Sequence, residues 1–171
     1  MELKTKRVAL ATIFGAVIFL SKTFVPYPID KMLTVVHALL LALGALLLRR
    51  MGATYIAGIG GVLTALLRTA TAPFTFVFAL SYGLFVDISF FILKVNTAEG
   101  NVKTSRLVAS MAVSTALVGG ISYYTTVFLV PLLPRNPVLE RIILVVGTIS
   151  GAVAGYLASN IWNRYLKNVR L

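Results

Sequence analysis

Six apolar stretches, separated by short segments that hold most of the charged residues, dominate the pattern of this 171-residue chain. A helix rises about 1.5 Å per residue, so about 20 apolar residues cross a bilayer, whereas a membrane β-barrel would show short alternating strands. The pattern predicts an all-α polytopic membrane protein, a six-transmembrane-helix bundle. It forms a single transmembrane domain, residues 1–171, with helices at about residues 7–25, 31–50, 53–69, 74–94, 104–133 and 138–166.

Composition supports this prediction, because 58% of the residues are hydrophobic and only 12% are charged. The absence of cysteine excludes disulfides, thiolate chemistry and cysteine-bound metal. The net charge of +11 is compatible with nucleic-acid binding, but the cations lie between the apolar stretches, eleven on the side of the N-terminus and five on the other. This bias predicts a plasma-membrane protein with both termini in the cytoplasm (N-in/C-in) and contact with anionic lipid rather than nucleic acid.

The fourth stretch carries one acidic residue, Asp87, near its middle. An acidic side chain at the centre of a membrane helix costs about 2.5–3.5 kcal/mol on insertion scales, so it needs a polar cavity or a partner. Gly83 and Phe90 share its helix face, which is compatible with one side of a small-molecule pocket. The alternative is a hydrogen bond to a Ser, Thr or Tyr of a neighbouring helix that only holds the bundle together.

Further candidates for a binding site are aromatic and hydroxyl side chains. The fifth stretch contains Tyr123, Tyr124 and Thr126, and Tyr82 lies in the fourth. Tyrosine rings stack on heteroaromatic ligands while hydroxyls bind their edges, although interhelical hydrogen bonding is an equal alternative. The single histidine, His37, is a weaker candidate, since a lone histidine is more often a packing residue.

Small residues form a stripe on the first helix: Ala11 and Gly15, like Thr12 and Ala16, are four positions apart. Small side chains allow another helix to approach closely in lipid, either a helix of this bundle or one of a partner protein.

Together, six helices, the small-residue stripe and the acid in the fourth helix resemble the substrate-binding S component of an energy-coupling factor (ECF) transporter. Two motifs look like those of S components for thiamine and hydroxymethylpyrimidine: Ser81-Tyr82-Gly83-Leu84 followed by Asp87, and Ile149-Ser150-Gly151-Ala152 leading into Ala154-Gly155-Tyr156-Leu157.

The resemblance implies a subunit that captures a water-soluble vitamin or precursor outside the cell. It would dock to a membrane coupling subunit through the first helix, while two partner ATPases supply energy. The resemblance assigns docking to Ala11, Thr12, Gly15 and Ala16, and substrate binding to Asp87, Tyr82, Tyr123, Tyr124, Thr126 and, more weakly, His37. We expect no catalytic site, metal or cofactor in this chain, because no nucleotide-binding or catalytic motif occurs in it.

A carboxylate beside aromatic rings favours a cationic or amine-bearing heteroaromatic ligand. Two other classes of protein remain open at this point. One is a self-contained carrier that uses Asp87 for ion coupling, and the other is a structural membrane subunit that uses Asp87 and the tyrosines only to join helices.

Overall fold

The computed structural model describes residues 2–24, 33–49, 51–67, 72–95, 100–129 and 135–167. Within these ranges every regular element is a helix, which confirms the all-α prediction. The predicted helix ends at residues 25, 31, 50, 69 and 133 lie outside the described residues.

The described residues form six α-helices, which we name in chain order as α1 (Glu2–Phe24), α2 (Thr34–Leu48), α3 (Gly52–Leu67), α4 (Ala72–Ile92), α5 (Thr104–Tyr124) and α6 (Pro137–Ile161). A π-helical turn directly follows each of the last two helices, Thr125–Leu129 after α5 and Trp162–Leu166 after α6. The start of α6 has a clear cause: Pro137 occupies its first turn, and the Asn136 side chain accepts hydrogen bonds from the backbone N–H groups of Val138 and Leu139.

Four described segments are long and apolar enough to cross a membrane, namely Thr5–Phe24, Pro73–Ile92, Thr104–Phe128 and Pro137–Leu166. The helices α2 and α3 are apolar but shorter, with 15 and 16 residues. By length and composition the chain is therefore a membrane protein. Six crossings and two cytoplasmic termini stay predictions.

The centre of the bundle is α2. Every residue from Leu41 to Leu48 is buried, and α2 packs against each of the other five helices. Its leucines and alanines are strong helix formers, and a helix that is apolar on all sides belongs in an interior. Gly44 makes room for Ile56 of α3, whose Cδ1 atom would lie 2.0 Å from a Cβ atom at this position.

The remaining helices pack around α2 in the order α1, α3, α4, α5, α6. Contacts between Ser21 and His37, and between Tyr123 and Asn136, join helices at one end of the bundle, which we call the Phe24 end. The opposite end, which we call the Glu2 end, holds the contact between Thr104 and Ser159. Neighbouring helices in the chain are therefore antiparallel.

Burial differs between the two halves of the bundle. At the Glu2 end, α4, α5 and α6 contribute buried residues such as Val86, Met111 and Ala158. Towards the Phe24 end, none of the described residues at 73–82 in α4, 116–122 in α5 or 135–150 in and before α6 is buried. We call these three stretches the sparsely buried half. The last three helices thus bury most of their interior residues at one end, and towards the other end their buried residues, within the described part of the chain, are Tyr123 and Val127.

Candidate functional site

The side chain of Asp87 is bound by the start of α3. Its carboxylate accepts hydrogen bonds from the backbone N–H of Ala53 at 3.2 Å, the backbone N–H of Thr54 at 2.8 Å and the Thr54 hydroxyl at 2.6 Å. The first N–H groups of a helix have no partner within it and carry its partial positive charge. Asp87 therefore caps α3 from the neighbouring helix.

Gly83 makes this capping contact possible. It lies one turn before Asp87, and a Cβ atom here would be 2.6 Å from the carbonyl oxygen of Ala53 and 2.7 Å from the Cβ atom of Ala57. Only glycine lets α4 approach α3 closely enough for the carboxylate to reach the N–H groups. The two residues thus form one helix-joining unit, which is the interhelical alternative that the sequence left open.

Tyr82 points in another direction from Asp87. The two residues are five positions apart, about 140° around a helix of 3.6 residues per turn. The Tyr82 hydroxyl lies 2.9 Å from the Thr115 hydroxyl of α5, whereas Asp87 turns to α3. The structure therefore does not bring these two candidates together in one site.

Buried hydroxyls continue the contact between α4 and α5 towards the Glu2 end. The Ser114 hydroxyl lies 2.9 Å from that of Ser89 and 3.1 Å from the carbonyl oxygen of Phe85. The Ser110 hydroxyl also approaches the carbonyl oxygen of Ser89, at 3.4 Å. In lipid such groups need internal partners, so this row of serines joins the two helices.

Tyr123 and Thr126 are also engaged within the protein. Tyr123 is buried, and its hydroxyl donates to the carbonyl oxygen of Asn136 at 2.9 Å and accepts from the N–H of Asn136 at 3.0 Å. The Thr126 hydroxyl donates to the carbonyl oxygen of Ser122 in its own helix. Tyr123 thus fixes the start of α6 against the end of α5.

Tyr124 belongs to a more accessible group of residues at the Phe24 end. Tyr124 is 45% exposed, its hydroxyl donates to the Glu140 carboxylate, and its ring stacks on that of Phe128 at 5.9 Å between ring centroids. The Arg135 guanidinium carbon lies 5.9 Å from the Phe128 ring centroid. Tyr124, Phe128, Arg135 and Glu140 form what we call the Phe24-end cluster.

Sequence reasoning identified only Tyr124 among these four residues. Glu140 is one of just five acidic residues in the chain and lies in the first turn of an apolar helix. The rarity of acidic residues in this chain was the sequence feature that could have identified Glu140 as a candidate. Chemically, the cluster presents stacked aromatic rings, a carboxylate and a guanidinium at the rim of the sparsely buried half.

His37 is buried at the Phe24 end. Its Nε2 atom lies 2.6 Å from the hydroxyl oxygen of Ser21 in α1. This contact ties the start of α2 to the end of α1. His37 therefore takes part in holding helices together, in line with the packing alternative.

The small-residue stripe of α1 lies partly inside the bundle and partly on its surface. Ala11 and Gly15 are buried, and a Cβ atom at Gly15 would be 2.9 Å from the Cγ2 atom of Ile59 in α3. Thr12 is exposed, and its hydroxyl bonds to the carbonyl oxygen of Val8 in its own helix; Ala16 is half-buried. The Ala11 and Gly15 pair therefore packs inside the bundle, while Thr12 faces outward.

Among the described residues, no group of three His, Cys, Asp or Glu side chains is placed to hold a metal ion. A scan against protein-family models and searches of curated proteins and of solved structures give no significant match to this chain.

Proposed function

We propose that this chain is the substrate-capture subunit of an ATP-driven importer of the ECF type. Its ligand would be a small water-soluble vitamin or precursor, with thiamine or hydroxymethylpyrimidine as the first candidates. On this proposal both termini lie in the cytoplasm of a plasma-membrane protein. A separate coupling subunit and two ATPases perform the energy-dependent steps.

The Phe24-end cluster is the observation that carries the proposal. It combines aromatic rings with a partly exposed carboxylate, Glu140, beside the sparsely buried half, whose described residues at 73–82, 116–122 and 135–150 include no buried one. Binding sites for small molecules typically combine apolar walls with a few placed polar groups. Such a site suits a flat, amine-bearing ring that stacks and forms a charge-assisted hydrogen bond.

The roles of the acidic residues change accordingly. The Asp87 oxygens already accept three hydrogen bonds from α3, so Asp87 is proposed as a structural cap. Glu140 accepts from Tyr124 and keeps further acceptor capacity for a ligand, because a carboxylate has about four lone-pair positions. The proposed counter-ion for a cationic ligand is therefore Glu140.

The test is ligand binding to the detergent-purified chain, measured by native mass spectrometry and thermal stability against a panel of water-soluble vitamins and precursors. A ligand at a hundredfold excess over its Kd stabilises the folded state by about 2.7 kcal/mol, which is easily measured. Glu140→Gln should weaken the affinity for the bound vitamin by about 10- to 150-fold, since hydrogen bonds to charged groups contribute about 1.5–3 kcal/mol. Arg141→Gln changes the neighbouring charge and is the matched control, with unchanged affinity.

A folded protein that binds no member of the panel would contradict the proposal, as would equal affinity of the Glu140→Gln variant. The second candidate, a structural membrane subunit, is favoured by one observation: Asp87, Tyr82 and His37 all form contacts between helices. A subunit of this kind would bind no small molecule. A self-contained carrier would instead transport substrate in liposomes without ATPase partners.

A further inference from the structure

Three helix ends meet at one corner of the Glu2 end and are tied together by directed hydrogen bonds. The Asn163 side chain accepts from the N–H of Val102 at 2.8 Å and donates to its carbonyl oxygen at 3.0 Å. The Trp162 indole N–H donates to the carbonyl oxygen of Gly100 at 3.0 Å. The segment leading into α5 is thereby fixed to the end of α6.

Five exposed cations surround this corner, which we call the basic corner: Lys94, Lys103, Arg106, Arg164 and Lys167. Lys103 follows Val102 in the sequence, and Arg164 follows Asn163. The hydrogen bonds between Val102 and Asn163 therefore hold these two cations near each other. The Arg106 guanidinium donates to the carbonyl oxygen of Lys94 at 3.2 Å, which brings the end of α4 to the same place.

None of the acids whose side chains the structure describes is placed at the basic corner. Asp87 turns to α3, and Glu140 lies at the opposite end of the bundle. Even with Glu99 counted, the sequence from residue 94 to residue 106 carries three cations against one acid. The corner therefore attracts an anion.

Exposed apolar side chains lie directly beside these cations. Phe91 is 85% exposed, Ile92 is 67% exposed and the ring of Tyr165 is 73% exposed. Phe91 and Ile92 are the last two residues of α4, and Tyr165 lies between Arg164 and Lys167. A phospholipid matches both features, because its phosphate can contact the cations while its acyl chains contact the apolar side chains.

We propose that the basic corner binds the headgroup of an anionic phospholipid, with Lys103, Arg106 and Arg164 contacting the phosphate. Arg side chains hold a phosphate through paired N–H donors, and Lys adds a point charge. This proposal is independent of any transport function and of which face of the membrane the corner occupies.

The test compares two double variants in nanodiscs of phosphatidylcholine with and without phosphatidylglycerol. Lys103→Gln with Arg164→Gln removes two charges from the basic corner. Lys6→Gln with Arg49→Gln removes the same two residue types from exposed positions elsewhere at the Glu2 end. The readout is the number of phosphatidylglycerol molecules that stay bound to the protein when it is released from the nanodisc, measured by native mass spectrometry. Circular dichroism checks the helix content of each variant.

Each basic residue near a membrane surface contributes about fivefold in affinity for anionic lipid, so the corner variant should bind phosphatidylglycerol about 25-fold more weakly. The control variant should retain it. Arg106→Gln removes one proposed phosphate contact without touching the bonds between Val102 and Asn163, so it should lower the affinity about fivefold even if the double variant proves unstable. Equal retention of phosphatidylcholine and phosphatidylglycerol by the wild type would overturn the proposal. An equal loss of bound phosphatidylglycerol in the two double variants would also overturn it.

A third arm of the test separates lipid from free anion. Inorganic phosphate is added to lipid-free protein in detergent, and the thermal stability is compared with that in added phosphatidylglycerol. Stabilisation by the lipid alone supports the proposal. Equal stabilisation by inorganic phosphate would assign the basic corner to a soluble anion and overturn it.

Discussion

Removing the Asp87 carboxylate should destabilise the bundle at the junction of α3 and α4. Asp87→Ala leaves two N–H groups at the start of α3 and the Thr54 hydroxyl without their acceptor. Loss of a helix cap costs about 0.5–2 kcal/mol in soluble proteins. Hydrogen bonds between membrane helices average about 0.6 kcal/mol and reach about 1.7. Three bonds to one charged group therefore give an expected loss of about 2–3 kcal/mol in the free energy of unfolding.

Two milder variants divide this loss. Thr54→Val removes only the hydroxyl at 2.6 Å and should cost about 1 kcal/mol. Asp87→Asn keeps one oxygen acceptor but loses the negative charge at the positive end of α3, so it should lie between the other two variants.

The assay is reversible unfolding of the detergent-solubilised protein by sodium dodecyl sulfate, followed by circular dichroism. The order of stability should be wild type, Thr54→Val, Asp87→Asn, Asp87→Ala. Wild-type stability of Asp87→Ala, together with lost binding of a vitamin ligand, would refute the capping role and return Asp87 to the binding site.

Two other substitutions test the packing of the helices. Gly83→Val should destabilise the protein by about 1–3 kcal/mol, because its side chain would meet the backbone of Ala53 in α3. Gly120→Ala is its control and should be tolerated, since the nearest atom to a new Cβ is a leucine methyl at 3.5 Å; equal losses in the two variants would contradict this account. Tyr123→Phe should cost about 1 kcal/mol in sodium dodecyl sulfate unfolding, because it removes both hydrogen bonds to Asn136, and wild-type stability would show that they contribute nothing.

The helical architecture was predictable because the apolar runs are continuous and their lengths match a bilayer. Burial on all sides of α2 follows from its own residues, since the run from Leu39 to Leu48 contains no polar side chain. The lengths of α2 and α3 were harder to predict from the sequence, because an apolar run does not reveal where a helix begins or ends within it.

The direction of individual side chains depends on tertiary structure, which a single sequence leaves open. Asp87 was identified as needing a partner, and a threonine on another helix was among the possibilities. Its actual partner depends on where α3 begins beside it. In α1, Ala11 and Thr12 differ by one position, about 100° around the helix, and Ala11 is buried while Thr12 is exposed.

Glu140 shows a different difficulty. An acid in the first turn of a helix is expected for the helix dipole alone, so only the rarity of acids in this chain, and not the position of Glu140, could point to a function. Its contact partner Tyr124 is 16 positions away in the sequence, and only the packing of α5 against α6 brings the two side chains together.

The shortness of α3 has a consequence for the surrounding lipid. Its 16 residues extend about 24 Å, whereas the 20 apolar residues of α4 extend about 30 Å. The exposed side chains Tyr55, Val62 and Leu66 show that α3 lies on the perimeter of the bundle. Over its described residues α3 offers lipid a shorter apolar length than α4, and a mismatch of this kind is relieved by local thinning of the bilayer or by tilting of the bundle. Bilayer thickness then becomes a variable that sets the resting orientation of this protein.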